Sequence, residues 1–181
     1  MTAIGVVETL SIPLGVLAGD RMLKTARVEL IMAQAACAGK YIVAVCGQVA
    51  AVAAAVAAGK AAAADTLVDS LLIPNVDERV VRAMAGATDV GEAGAVGLME
   101  TFSLASAIAG ADAAVKAAQV ELIEVRLGRG LGGKSFLVIT GDVAAVEAAM
   151  DASRGAEGME GLIASYVVIP APHPDITRAL L

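Results

Sequence analysis

The chain has 181 residues, a formal charge of −6 and 58% hydrophobic residues, but only 2% aromatics. An acidic balance with no basic stripe offers no counterion release, and so few rings offer no stacking platform, which excludes nucleic-acid binding. Alanine and valine supply much of the apolar content; each buries little area, so extensive contact must replace bulky anchors and an obligate oligomer is favoured.

Ala3-Ile-Gly-Val-Val-Glu-Thr9 opens the chain as a β-branched strand. Ser11 then offers an N-cap, and Pro13 suits a first helical turn, where its missing N–H costs nothing. Leu14, Leu17 and Met22-Leu23 give that helix an apolar face to about Thr25. Strands are expected over Val28–Ala33 and Tyr41–Cys46, joined by the loop Gln34–Lys40. A helix starting at Gly47-Gln48 carries Val49, Val52 and Val56 on one face, and Gly59 weakens its end. Tyr41–Ala58 is uncharged for 18 residues, but Gly47-Gln48 interrupts it and a membrane span is not expected. No basic n-region precedes the first apolar stretch, so no secretory signal is visible. Leu67–Ile73 is a fourth strand stopped by Pro74, and Asp77–Met84 a short helix.

The order then starts again. Ala95-Val-Gly-Leu-Met-Glu-Thr101 restates residues 3–9 from 92 positions earlier, and Asp20…Lys24 and Val28-Glu-Leu-Ile31 meet Asp112…Lys116 and Val120-Glu-Leu-Ile123 at the same offset. Gly39-Lys40 and Gly47 align with Gly133-Lys134 and Gly141 at an offset of 94; Pro74 and Arg82 meet Pro170 and Arg178 at 96. The second half therefore reads as strand 95–100, helix 104–117, strands 120–126 and 135–140, helix 143–152 with Asp142 as N-cap, strand 162–169 and helix 174–180. Met84–Gly94, polar and glycine-rich, is the linker. The expected architecture is α+β: two domains, 1–88 and 89–181, each a ferredoxin-like β-α-β-β-α-β unit with helices on one face of an antiparallel sheet.

Gly128-Arg-Gly-Leu-Gly-Gly-Lys-Ser135 satisfies the G-x-x-x-x-G-K-[ST] phosphate-loop pattern. That loop needs a helix after it, and Phe136-Leu-Val-Ile-Thr140 reads as a strand, so the segment is a glycine-rich turn. Cys37 sits at a loop tip. It is either a small residue in a tight turn or, were three chains to meet there, one of three thiolates converging on an iron–sulphur cluster. Cys46, inside a strand, is a core residue. His173 stands between prolines with no nucleophile nearby, and Glu8 and Glu100 occupy matching strand ends, as structural hydrogen-bonding groups would. No Ser/His/Asp order or carboxylate cluster emerges, so no enzyme is expected.

Together the Ala-x-Gly-x-x-Glu-Thr openings, the Asp-x-x-x-Lys helices, the Gly-Lys loops, the Gly-[Gln/Asp]-Val-Ala-Ala-Val helix starts (47–52 and 141–146) and the Ile169-Pro-Ala-Pro-His173 ending resemble bacterial microcompartment shell proteins. The order is that of the unpermuted members. The resemblance implies a cytoplasmic shell tile of the tandem type: a homotrimer shaped as a pseudohexamer, tiling with hexameric and pentameric shell proteins around encapsulated enzymes, with a central metabolite pore and no catalysis. Ala36, Cys37, Ala38 and Gly39 from the first loop and Arg129, Gly130, Leu131 and Gly132 from the second would line that pore. Lys24 and Lys116 would lie along the tile edge. Likeness to a propanediol-utilisation group with a Cys-Pro-Gly-Lys loop makes Cys37 the counterpart of a [4Fe-4S] cluster ligand shared by three chains, with electron transfer across the shell as the alternative role. Ala38 replaces that group's proline, and Ala171 and Asn75 replace the arginine of its Pro-Arg-Pro-His ending, which weakens the expected edge contact. Arg129 has no charged counterpart in the shorter loop; it either favours anions at the axis or points to solvent. A small-ligand sensor of the same fold is a further alternative.

Overall fold

The computed structural model describes residues 3–181, which fold as two compact units. The first comprises the chain through Val76 together with Ser103–Ala105 and Gly128–Gly133; the second comprises Asp77–Phe102, Ser106–Leu127 and Lys134–Leu181. Each repeat thus lends a short piece to the other's unit.

In the first unit, β1 (Ala3–Thr9), β2 (Glu29–Ala36), β3 (Lys40–Gly47) and β4 (Leu67–Ile73) form an antiparallel sheet in the order β2-β3-β1-β4. β1 is central and fully buried, which is why it reads as a continuous apolar run rather than an alternation. Helices α1 (Ile12–Thr25) and α2 (Val49–Ala63) pack together on one face. Ser11 Oγ accepts from Leu14 N, and Pro13 lies in the first turn of α1, as expected. The core under the helices is built from Val7, Ala18, Met22, Val43, Val45, Val52 and Val56.

Three expectations need correction. The loop Gln34–Lys40 shrinks to a 3₁₀ turn over Cys37–Gly39, because β2 continues to Ala36 and β3 begins at Lys40. Gly59 does not weaken α2, which runs on to Ala63. A β-carbon there would stand 2.7 Å from Met22 Cγ, so the glycine lets α2 lie close to α1. Neither Gln48 nor Asp142 caps its helix through its side chain. Tyr41–Ala58 divides between β3 and α2. Val49–Thr66 has the length and apolarity of a membrane span, yet Val52, Ala55, Val56, Gly59 and Ala63 within it are buried in the protein.

The second unit repeats the plan. β5 (Ala95–Thr101), β6 (Glu121–Leu127), β7 (Ser135–Gly141) and β8 (Ile163–Ile169) pair antiparallel in the order β6-β7-β5-β8, with α4 (Leu104–Ala117) and α5 (Val143–Arg154). Short helices α3 (Glu78–Met84) and α6 (Pro174–Leu180) follow β4 and β8. α3 belongs to this second unit, where it packs on β6.

Candidate functional site: two clasped loops

Two turns meet within the first unit. The shorter, Cys37–Gly39, joins β2 to β3. The longer, Gly128–Gly133, leaves β6 and is followed by β7, a strand, so the phosphate-loop pattern has no helix behind it.

Cys37 N donates to Gly128 O at 3.0 Å, and Gly130 N donates to Cys37 Sγ at 2.9 Å. Arg129 Nη2 donates to Gln34 Oε1 at 2.9 Å, which ties its exposed guanidinium to β2. Gly128 has φ +70°, and a β-carbon on it would stand 2.8 Å from Ala36 Cβ. Only glycine fits both the conformation and the space. Ala38 has φ +61°, a left-handed value that proline, locked near −65°, cannot adopt. Ala36, Cys37, Ala38, Gly39, Arg129, Gly130, Leu131 and Gly132 all fall in this one unit, with Ala38, Gly39, Arg129, Gly130 and Gly132 exposed.

Beneath the clasp lies a buried ionic link. Lys40 Nζ donates to Gly133 O at 2.7 Å and pairs with Glu8 Oε1 at 2.7 Å. Glu8 Oε2 accepts from Leu104 N at 2.7 Å and Ala105 N at 3.2 Å, closing the N-terminus of α4. Burial raises the Glu8 carboxyl above its ordinary value, against the pull of Lys40 and the two backbone donors. The pair is the deepest charge in the unit, and it fixes the root of the long loop. From sequence alone, Lys40 and Gly133 belong to repeated Gly-Lys loops and Gly128 starts a glycine-rich turn, but none of them, nor Gln34, had a place in the site. The signal was there in the repeated Glu and Gly-Lys, which recur in both halves.

The remaining candidates lie apart. Lys24 is exposed and pairs with Asp20 at 2.8 Å; Lys116 pairs with Asp112. His173 Nδ1 accepts from Asp175 N at 3.2 Å and starts α6. Cys46 is only half-buried, and burial pushes its thiol up. Among the described residues no three His, Cys, Asp or Glu side chains come together as a metal site.

This geometry sits on a doubled domain, and comparison with known proteins identifies it. The profile of the BMC domain matches residues 3–76 and 95–172. The chain belongs to the bacterial microcompartment shell proteins. This shell protein is 42% identical over 179 residues to the shell protein PduT of Citrobacter freundii, covering 99% of this chain and 97% of that one. The shell protein PduA of the same organism matches 48% of the chain at 41% identity, over 90% of its own length. A crystal structure of a microcompartment protein from Desulfitobacterium hafniense superposes with a TM-score of 0.88 at 47% identity, covering 98% and 99% of the two chains. A fused permuted hexameric shell protein shares the fold at a TM-score of 0.63 and 22% identity, over 84% of this chain and 82% of its own. The chain is a structural protein of a microcompartment shell within the bacterial cytoplasm, and its family points to a non-enzymatic role in assembly with other shell proteins.

Proposed function

We propose that three copies close head to tail into a pseudohexagonal tile whose axis is lined by the clasped loops. The observation that carries this is an inequality between the repeats. In the first unit, Val6, Glu8 and Ile42 are fully buried, with Ser103–Ala105 lying on that face. Their counterparts in the second unit, Leu98, Glu100 and Phe136, line an open groove of about 450 Å³ with Tyr166 and Leu180. The matching plug is bare too. Ile12 is 43% exposed where Leu104 is fully buried, and Val16 is 52% exposed where Ile108 is fully buried. Socket and plug on opposite repeats make a heterologous contact, which closes into a ring when the rotation allows. Single-domain relatives match one half of the chain, so the domain is the repeating unit and a six-domain ring takes three chains. Glu100 already pairs with Lys134 at 2.7 Å, and Ile12 N of the next copy supplies the donor that Leu104 N gives Glu8. Pro13 supplies none, so that join is one hydrogen bond poorer.

The tile's pore passes small metabolites between the shell's interior, with its encapsulated enzymes, and the cytoplasm. Hexameric and pentameric shell proteins meet it at edges carrying Lys24 and Lys116. Three Arg129 side chains at the axis favour anions. Sedimentation of purified protein tests the ring: a mass near three times 18.0 kDa is expected, and a stable single chain would end this reading.

A second reading rests on Cys37. One thiol per chain cannot hold a cluster, but three at an axis can, and the Gly130 N–H on Cys37 Sγ is the kind of donor that stabilises a metal-bound thiolate. The donor set fits, with Cys37 as the ligand of each copy; a [4Fe-4S] cluster held there would supply one-electron chemistry across the shell. Iron and acid-labile sulphide in anaerobically purified protein, lost in Cys37→Ala, are the expected result. Iron-free protein would remove the reading.

A further inference from the structure

We propose that α6 is an intermolecular strap, docking on β2 and the end of α1 of the next copy as α3 docks on β6 and α4 within the second unit. This rests on the ring described above.

The contact to be copied is well defined. Asp77 N donates to Asp112 Oδ1 at 2.9 Å, and the Arg79 guanidinium donates to Val120 O at 3.0 Å and Val115 O at 2.9 Å. Val80 and Ala83 are buried, and Leu122 beside them is 2% exposed. At the repeat-related places this cover is missing. Leu30, counterpart of Leu122, is 49% exposed, and Leu23, counterpart of the buried Val115, is 41% exposed. The residues that should cover them exist. Ile176 stands where Val80 stands in the first repeat, is 53% exposed, and α6 has no buried residue. Leu180 packs against the cluster of Val96, Ile123 and Val138, holding the end of α6 on its own sheet while Ile176 stays open.

A bare strand flank and a bare helix, each complementary to a contact the chain already makes elsewhere, identify the occupant as a second copy of this chain. The chemistry is not copied whole. His173 and Asp175 replace Asp77 and Arg79, so the guanidinium that binds two backbone carbonyls in the α3 contact has no counterpart at that place in α6. The strap then depends on Ile176 against Leu30 and on His173 N toward Asp20.

The test uses full-length protein with Cys37→Ser and Cys46→Ala. Ile176→Cys and Leu30→Cys chains are made separately, mixed, allowed to exchange and oxidised. A covalent pair containing one chain of each kind, absent from either chain alone, is expected. Ile176→Asp, at an exposed site that folding of one chain does not need, is expected to weaken the trimer by about tenfold or more in sedimentation, since it places a charge in an apolar contact. A three-chain mass with no mixed cross-link and an unweakened Ile176→Asp trimer overturns the strap and leaves the ring standing. A wild-type chain that stays single overturns both.

Discussion

Glu8–Lys40 in the first unit and Glu100–Lys134 in the second are the same ion pair written twice, each 2.7 Å long. The side chains of the first are 0% and 8% exposed; those of the second are 30% and 40%. Sequence is nearly equal, so the difference lies in surroundings. Ser103–Ala105 and Gly128–Gly133 complete the first unit around its pair, whereas the stretch of the first repeat that joins the second unit, from Asp77 through α3, packs on β6 instead. A charge pair of fixed geometry is thus structural glue in one place and an unfinished contact in the other.

Breaking the two pairs in turn should give the largest contrast. Glu8→Ala strands Lys40 and two α4 N–H groups away from water and is expected to cost about 3–5 kcal/mol, read by urea unfolding. Glu100→Ala, measured at dilutions where chains are single, is expected to cost about 1 kcal/mol or less. Equal losses would refute the comparison. Next comes the clasp. Gly128→Ala forces a β-carbon into Ala36 as well as a left-handed φ, for a loss of about 1–3 kcal/mol. Gly130→Ala, with open space around it, should lose only the smaller conformational part. Ala38→Gly is expected to gain about 0.5–1 kcal/mol by relieving its φ of +61°, while Ala38→Pro destabilises.

The smallest effect concerns α3. The Arg79 side-chain hydrogen bond, and its charge, hold the Asp77 carboxyl at about 2, below its ordinary 3.8, although burial acts the other way. A lowered carboxylate value means the stabilisation is complete above the ordinary value and is lost as pH falls from 3.8 towards 2. Asp77→Asn should flatten that part of an acid-unfolding curve. At the equivalent cap position α6 carries His173 instead of an aspartate, so the contact that holds α3 has no copy there.

Much of this was legible in the residues. The offsets of 92, 94 and 96 expose the duplication, and apolar runs ended by Pro74, Pro170 and Gly47 place the strands. The family's shell role followed from the ordered motifs. Other features were hidden for physical reasons. Gln34-Ala-Ala36 has too little side chain to show a strand's alternation, so β2 looked shorter than it is. Gly59 and Gly128 are required by neighbours distant in sequence, which no local pattern reports. That α3 joins the second unit, and that Glu8 closes α4, depend on long-range contacts that propensity cannot encode.

Cys37, Gly128, Gly130, Arg129 and Gln34 bond one turn to the other, and Lys40 anchors the base of the longer one. Neither turn can swing without dragging its companion and tearing a charged foundation. In the ring proposed above, such tethered rims would make a fixed aperture, admitting by the width and charge of the groups on the rim rather than by a flapping door.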